Sequence, residues 1–179
     1  MDTEQALLAA RELEPLRLGE LHDRFYPVVY RYVRFRLEDE QVCEDITAEA
    51  FLRLVDALNR QKNAVQNPRA WLLGTASHLI ADHLRARYRR PTSSLDEIEI
   101  AGASRPEEEI EQGAAHRSVR AAILRLTQEQ QHVLALRFAE DFSLEETAHL
   151  MGKTIGAVKT LQFRALGALR KLLALENWE

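Results

Sequence analysis

The chain contains few of the residues that interrupt helices or cross-link a fold. Its 179 residues include one cysteine, five prolines and seven glycines. A single cysteine excludes an internal disulfide and a cysteine-rich zinc site, so Cys43 is expected to be a small buried hydrophobe. Few stretches alternate between apolar and polar residues with period two. Together with the scarcity of glycine and proline, this predicts an all-helical protein.

Long hydrophobic runs are also missing from the sequence. No apolar stretch approaches the ~18 residues that a membrane-spanning helix requires. Residues 1–15 are acidic and lack the plan of a signal peptide. We therefore expect a cytoplasmic protein without membrane insertion. Six histidines are scattered along the chain, with no Gly-rich phosphate loop and no HExxH motif, so no metal, cofactor or catalytic residue is expected.

The net charge of −4 is unevenly distributed along the chain. Residues 1–90 carry 14 basic and 14 acidic residues, residues 91–114 carry one and seven, and residues 115–179 carry nine and seven. The acidic middle segment also contains two prolines and two glycines, a composition typical of a linker. The sequence therefore predicts an N-terminal unit over 1–90, an acidic linker over 91–114 and a C-terminal unit over 115–179.

Apolar spacing predicts four helices in the N-terminal unit. They cover about Thr3–Leu13, Leu16–Leu37, Glu40–Leu58 and Asn67–Arg89. The buried face of the third helix is expected to contain four residues spaced four apart: Ile46, Ala50, Leu54 and Leu58. Asn67 as N-cap followed by Pro68 is a start signal for the fourth helix.

The C-terminal unit contains the spacing of a helix-turn-helix at residues 143–165. Ser143 and Glu146 form a capping box at the start of the first helix of this pair. Ala148 is small enough for a close helix crossing, Gly152 allows a sharp turn, and Val158 anchors the second helix. Helices over about Glu109–Leu126 and from Thr127 to near Phe138 are expected to precede the pair.

The second helix of the pair carries only positive charges between residues 153 and 171. A helix of this charge is suited to a phosphate backbone, so it is expected to be a DNA-recognition helix. The residues expected to contact DNA there are Lys153, Thr154, Ala157, Lys159, Thr160, Gln162 and Arg164.

Three motifs, taken in order along the chain, resemble those of one protein family. CEDITAEAFLRL (43–54) resembles the core-binding helix of bacterial sigma factors, and NPRAWLLGTASHLIADHLRAR (67–87) resembles their promoter minus-ten helix. Residues 126–166 resemble their minus-thirty-five domain. Because no further domain fits between the two units, the resemblance is to the small extracytoplasmic-function (ECF) group. It implies a non-enzymatic protein that binds core RNA polymerase, directs it to specific promoters and helps open the duplex.

The resemblance also implies where the partners bind. The clamp coiled coil of the largest polymerase subunit is expected on a face formed by Asp45, Ala48, Glu49, Leu52 and Arg53. The minus-ten element is expected at Lys62, Asn63, Gln66, Asn67, Arg69, Arg85 and Arg89, and the minus-thirty-five element at the recognition helix. Trp71 is either a stacking surface for a base or a core residue. An anti-sigma partner is implied as well, and we expect a monomer when the protein is free.

Two other functions remain open from the residues alone. A helix-turn-helix repressor or activator usually dimerises, and no dimer helix is evident here. An adaptor that binds polymerase or a regulator without DNA is disfavoured by the arginines at residues 85–90. The linker over 91–114 is either a flexible, soluble tether or, as the resemblance implies, a negatively charged strand that mimics RNA inside the polymerase.

Overall fold

The computed structural model of the protein describes residues 15–60, 65–89 and 107–176, and these residues form helices and short connections. The helices are α1 Pro15–Arg36, α2 Glu40–Arg60, α3 Pro68–Arg89, α4 Glu107–Leu124, α5 Gln128–Leu134, α6 Leu144–Met151 and α7 Ile155–Glu176. The all-helical prediction is confirmed, since these three ranges contain no strand. The helix expected at Thr3–Leu13, the residues Lys62 and Asn63, and most of the linker lie outside the described residues.

Helices α1 to α3 pack around one apolar core. The face expected inside α2 is buried, as the spacing of four predicts: Ile46, Ala50, Leu54 and Leu58. The start of α3 also follows the sequence signal, because the side-chain Oδ1 of Asn67 accepts a hydrogen bond from the backbone nitrogen of Ala70 at 3.0 Å. None of the helices in the described residues is long and apolar enough to cross a membrane.

Helices α4 to α7 form the C-terminal unit around a second, smaller core. The predicted capping box of Ser143 with Glu146 is present at the start of α6, and a second box, Thr127 with Gln130, starts α5. Gly152 ends α6 in the left-handed region, with φ 61°. This conformation carries little steric cost for glycine, and it lets the chain reverse into α7.

The helix after Thr127 does not continue as an α-helix to Phe138. It changes at Ala135 to a π-helical turn that runs to Ala139, and the backbone nitrogen of Phe142 then bonds the carbonyl of Leu136 at 3.0 Å. Asp141 has φ 52°, in the left-handed region that aspartate tolerates better than most side chains. These wide turns direct both neighbours of Asp141 into the protein interior.

The two units pack against each other. Three residues of the C-terminal unit belong to the core of the N-terminal unit: Ala135, Leu136 and Phe142. Phe35 of α1 is partly buried and contacts both cores. The contact between the units was left open by the sequence, which contains no local signal for it.

Candidate polymerase and promoter interfaces

The predicted polymerase-binding residues lie together on the outer face of α2. Leu52 has 63% of its surface exposed at the centre of this face. Arg53 Nε donates to Glu49 Oε1 at 2.8 Å, and Gln41 Nε2 donates to Asp45 Oδ1 at 3.1 Å. An exposed leucine bordered by ordered charges is the composition of a protein-docking surface, with an apolar centre and a polar rim.

The predicted minus-ten residues within the described part of the chain are divided between the two ends of α3. Gln66 and Asn67 are exposed at its start. Arg85 and Arg89 are exposed in its last turns, and Arg85 forms an ion pair with Asp82. The structure therefore places exposed cations at one end of α3 and exposed amide groups at the other.

Arg69 differs from the other minus-ten candidates because the C-terminal unit binds it. Its Nη2 lies 3.3 Å from Glu140 Oε2 and also donates to the Glu140 carbonyl oxygen. Its guanidinium carbon lies 4.3 Å from the ring centroid of Phe142, a cation–π distance. In this arrangement Nη2 of Arg69 is directed into the protein, while 36% of the side chain remains exposed.

Trp71, for which two roles were open, is partly buried and packs against the core of the N-terminal unit. These contacts are those of a core residue, and they fix α3 to the helices beneath it.

The recognition helix presents most of its predicted DNA contacts to solvent. The exposed members are Thr154, Ala157, Lys159, Thr160 and Arg164. Val158, on the opposite side, is completely buried, which fixes the rotation of α7 about its own axis. Thr154 also caps the helix, because its Oγ1 accepts from the nitrogen of Ala157 at 3.2 Å.

Two of the predicted contacts are held by other side chains. Lys153 Nζ lies 2.8 Å from Glu129 Oε1, an exposed pair that solvent screens. Gln162 is partly buried, and its Oε1 accepts from Arg137 Nε at 3.2 Å. Gln162 is therefore half-buried, unlike the exposed residues beside it on the recognition helix. The cause is Arg137, whose position on the π-helical turn was not predicted.

A polar network joins α1 to α3 and α5 at the boundary between the units. The buried Arg36 donates to Tyr32 Oη at 2.8 Å, to Ser77 Oγ at 3.1 Å and to Gln128 Oε1 at 3.0 Å. Arg120 adds a bond from α4 to the carbonyl of Leu37 at 2.8 Å. These bonds satisfy polar groups that the packing of the units removes from water.

His132 lies within this boundary. Its Nδ1 is 3.4 Å from Ser77 Oγ. Burial lowers the pKa of His132 to about 3, and the charges of Arg36, His78 and Lys153 act in the same direction. The histidine is therefore neutral at physiological pH.

Sequence reasoning missed the residues that connect the units. Arg31 and Glu140 form an ion pair although 109 positions separate them in the sequence. The one local sign was an acidic pair, Glu140 and Asp141, directly after an apolar run. That sign does not identify which acid points inward or which arginine it meets.

Two family profiles match the chain: Sigma-70 region 2 over residues 21–90 and Sigma-70 region 4 over residues 122–171. The sequence is 34% identical to ECF RNA polymerase sigma factor BldN of Streptomyces coelicolor over 87% of this chain and 60% of BldN. It is 32% identical to ECF RNA polymerase sigma factor SigD of Mycobacterium tuberculosis over 86% of this chain and 75% of SigD.

The fold is similar to that of the sigma factor RpoE of Bartonella quintana, solved in complex with the anti-sigma factor NepR. The TM-score is 0.65 at 18% identity, covering 87% of this chain and 96% of that one. The chain spans about 60% of the length of BldN, and three-quarters of SigD. Because both sigma regions occur in order and SigD is 32% identical with 75% of its length covered, the chain belongs to the ECF family of RNA polymerase sigma factors.

Proposed function

We propose that this protein is an alternative sigma factor that binds core RNA polymerase, directs it to specific promoters and helps melt the duplex. The N-terminal unit over 1–90 would bind polymerase and the minus-ten element. The C-terminal unit over 115–179 would bind the minus-thirty-five element, with the segment 91–114 connecting them. The chain works without catalysis of its own in this proposal, since the chemistry belongs to the polymerase.

The geometry of the helix-turn-helix is the observation that carries the proposal. Ala148 and Val158 are buried at the crossing of α6 and α7, and the left-handed Gly152 sets the angle between them. This arrangement leaves Lys159, Thr160 and Arg164 in solvent. A helix with exposed cations and hydroxyls fits the major groove, where cations bind phosphate or guanine and hydroxyls adapt to either strand.

The outer face of α2 supports the polymerase-binding half of the proposal. Leu52 is more exposed than most large apolar residues in the described part of the chain. The ordered Glu49–Arg53 pair beside it offers both signs of charge to a partner helix. We infer that this face binds the clamp coiled coil of the largest polymerase subunit.

Exposed cations and amides on α3 support contact with the minus-ten element. Arg85 and Arg89 would bind phosphates at one end of the helix, where counterion release favours the complex. Gln66 and Asn67, with Lys62 and Asn63 that precede them in the sequence, would offer hydrogen bonds to unstacked bases. Arg69 would join them once it is free of Glu140.

We infer that an anti-sigma protein covers these same surfaces in the inhibited state. RpoE of Bartonella quintana is bound by such a partner. Phe163 on the recognition helix has 80% of its surface exposed, and with Leu52 it gives an inhibitor two apolar anchors on separate units. The free protein would be a cytoplasmic monomer that exchanges this inhibitor for polymerase.

Run-off transcription with purified core polymerase and a pool of promoter fragments tests the proposal. Adding the protein should produce transcripts from discrete start sites, and the aligned upstream sequences should contain two conserved elements. Lys159→Ala should reduce these transcripts, whereas Arg117→Ala, an exposed arginine of α4, should not. Absence of transcripts together with tight, specific DNA binding by the protein alone would instead identify a conventional repressor or activator.

A further inference from the structure

Glu140 is the most completely buried carboxylate at the boundary between the units, with 0% of its side chain exposed. Arg31 of α1 binds it with two parallel bonds, Nε to Oε1 at 2.9 Å and Nη2 to Oε2 at 3.0 Å. Arg69 of α3 adds a third contact to Oε2. One carboxylate of the C-terminal unit therefore connects two helices of the N-terminal unit through charge-assisted bonds.

The turn that carries Glu140 also contacts the recognition helix. Arg137, three residues earlier, donates from Nε to Gln162 Oε1 at 3.2 Å and from Nη1 to the carbonyl of Phe142. Phe142, two residues after Glu140, packs under the guanidinium of Arg69. We name residues 137–142 the latch turn, since it binds one residue from each of the two predicted DNA-contact sets.

A phosphate and Glu140 compete for the same donors of Arg69. In the packed arrangement Nη2 of Arg69 bonds the carboxylate and the carbonyl oxygen of Glu140, and the carboxylate charge offsets that of the guanidinium. A DNA phosphate would need those N–H groups and an uncompensated positive charge. Arg69 therefore binds a phosphate less readily while Glu140 holds its Nη2 and offsets its charge.

We propose that the latch turn is an autoinhibitory device that holds the free protein in a closed state unable to engage the minus-ten element fully. Opening withdraws Glu140 from Arg31 and Arg69, and one movement of the C-terminal unit then frees the Arg69 guanidinium for the minus-ten element. This inference rests on the proposed function, and it concerns the protein before polymerase or an inhibitor binds.

The contacts are suited to opening as well as to closure. Arg31 and Arg69 keep 56% and 36% of their side chains exposed, so water can replace Glu140 without a large rearrangement. Glu140 likewise regains its hydration when the units separate. The attraction within such an ion pair is largely balanced by desolvation, so the pair itself opposes opening only weakly and a binding partner can shift it.

Arg31→Gln in the full chain is the decisive variant, because the latch and simple electrostatics predict opposite changes in DNA affinity. Arg31 is not among the residues assigned to DNA or polymerase. Removing its positive charge should weaken binding to DNA if charge alone matters. If the latch operates, Arg31→Gln loosens the closed state, frees Arg69 and strengthens binding of a fluorescein-labelled mixed-sequence duplex by roughly fivefold or more.

Arg24→Gln is the matched control, since Arg24 is an exposed arginine of the same helix that lies over its neighbour Phe25. Small-angle X-ray scattering gives the second readout: Arg31→Gln should increase the radius of gyration, and Arg24→Gln should leave it at the wild-type value. Glu140→Gln should increase the radius of gyration in the same way. The same result in two different variants would not be explained by a folding defect in one of them. Circular dichroism confirms that each remains helical.

If Arg31→Gln and Glu140→Gln remain as compact as wild type, and Arg31→Gln binds the duplex no better than Arg24→Gln, the latch is overturned. Transcription with core polymerase separates this result from failure of the proposed function. If the wild-type protein supports discrete transcripts while the latch variants stay compact, the proposed sigma function stands and only the autoinhibition is rejected.

Discussion

The ring of His132 in α5 meets the ring of Tyr32 in α1 edge-on, with 5.9 Å between the centroids and 70° between the planes. Arg36 bonds the hydroxyl of the same tyrosine. The histidine therefore sits between the two units, with cations facing it from three elements: Arg36 on α1, His78 on α3 when protonated, and Lys153 before α7. Lys153 is itself paired with Glu129.

This position predicts that the packed structure loses stability in mild acid. The pKa of His132 is about 3 in the packed state and 6.5 without burial, so the unfolded chain binds the extra proton. The stabilisation is complete above pH 6.5 and falls as the pH decreases toward 3. At about pH 5 the loss amounts to about 2 kcal/mol at most.

Urea unfolding of the full chain at a series of pH values measures this dependence. His132→Gln should flatten the decline in the free energy of unfolding between about pH 6.5 and about pH 5. His116→Gln, at an exposed histidine of α4, should leave the decline as in wild type. Equal slopes in the two variants would mean that other groups are responsible.

Cys43 is predicted to be chemically inert in the folded protein. It is fully buried, and burial raises the pKa of its thiol, an effect that Arg34 only partly opposes. The thiolate that reacts with disulfide reagents is therefore scarce and inaccessible. Ellman's reagent should label Cys43 slowly in native buffer and promptly in denaturant. Prompt labelling under native conditions would contradict the burial.

Local sequence patterns were sufficient for the helices and their caps. Ser143 and Glu146, or Asn67 and Pro68, interact over three residues, so the signal is contained within one turn of helix. The same reasoning gave the buried side of α2, because a repeat of four defines one side of a helix. In the recognition helix, the apolar Val158 marks the buried side, so the opposite side is exposed.

The relation between the units could not be predicted in this way. Arg31 lies on the polar side of α1, where an arginine is ordinary, and its partner Glu140 is distant in the sequence. No helix-breaking residue lies between Leu134 and Ala139, so local preference favoured an α-helix where the structure has a wider turn. The packing of the two units places Glu140 inward, and the π-helical turn places Arg137 where it binds Gln162.

Two glycines of the C-terminal unit should respond oppositely to the same substitution. Gly152→Ala introduces a Cβ at φ 61°, which costs about 1 kcal/mol or more although no atom lies within 4 Å of the new carbon. Gly167→Ala, inside α7 with equally open space, should stabilise the protein by about 1 kcal/mol. Thermal unfolding measures both. A stabilised Gly152→Ala would refute the left-handed turn.

Lys159 is predicted to contribute to DNA affinity mainly through a phosphate or guanine contact. It is exposed on α7, so Lys159→Gln should preserve the fold while weakening binding of holoenzyme to promoter DNA roughly three- to tenfold. A phosphate contact also predicts that the slope of log affinity against log salt falls by about 1. Arg117→Gln, which removes the same charge from α4, is the control for a general electrostatic effect.

The two possible contacts of Lys159 give different results across promoters. Loss of a phosphate contact weakens binding to every promoter equally, whereas loss of a guanine contact relaxes specificity at one position. Titrations on single-base variants of the minus-thirty-five element distinguish them. Unchanged affinity and salt slope on all templates would remove Lys159 from the recognition surface.

Leu52 is predicted to be an anchor for core polymerase. Truncating an exposed leucine leaves no cavity in the monomer, so Leu52→Ala should change the free energy of unfolding by less than about 0.5 kcal/mol. At the centre of an interface the same truncation removes a desolvated contact and should weaken core binding by about 1 to 2 kcal/mol, roughly tenfold.

Val119→Ala, at an exposed apolar residue of α4, should leave core binding unchanged. Fluorescence titration of labelled protein with core polymerase measures the affinities. A Leu52→Ala protein that binds core as tightly as wild type would place the polymerase on another face of the N-terminal unit.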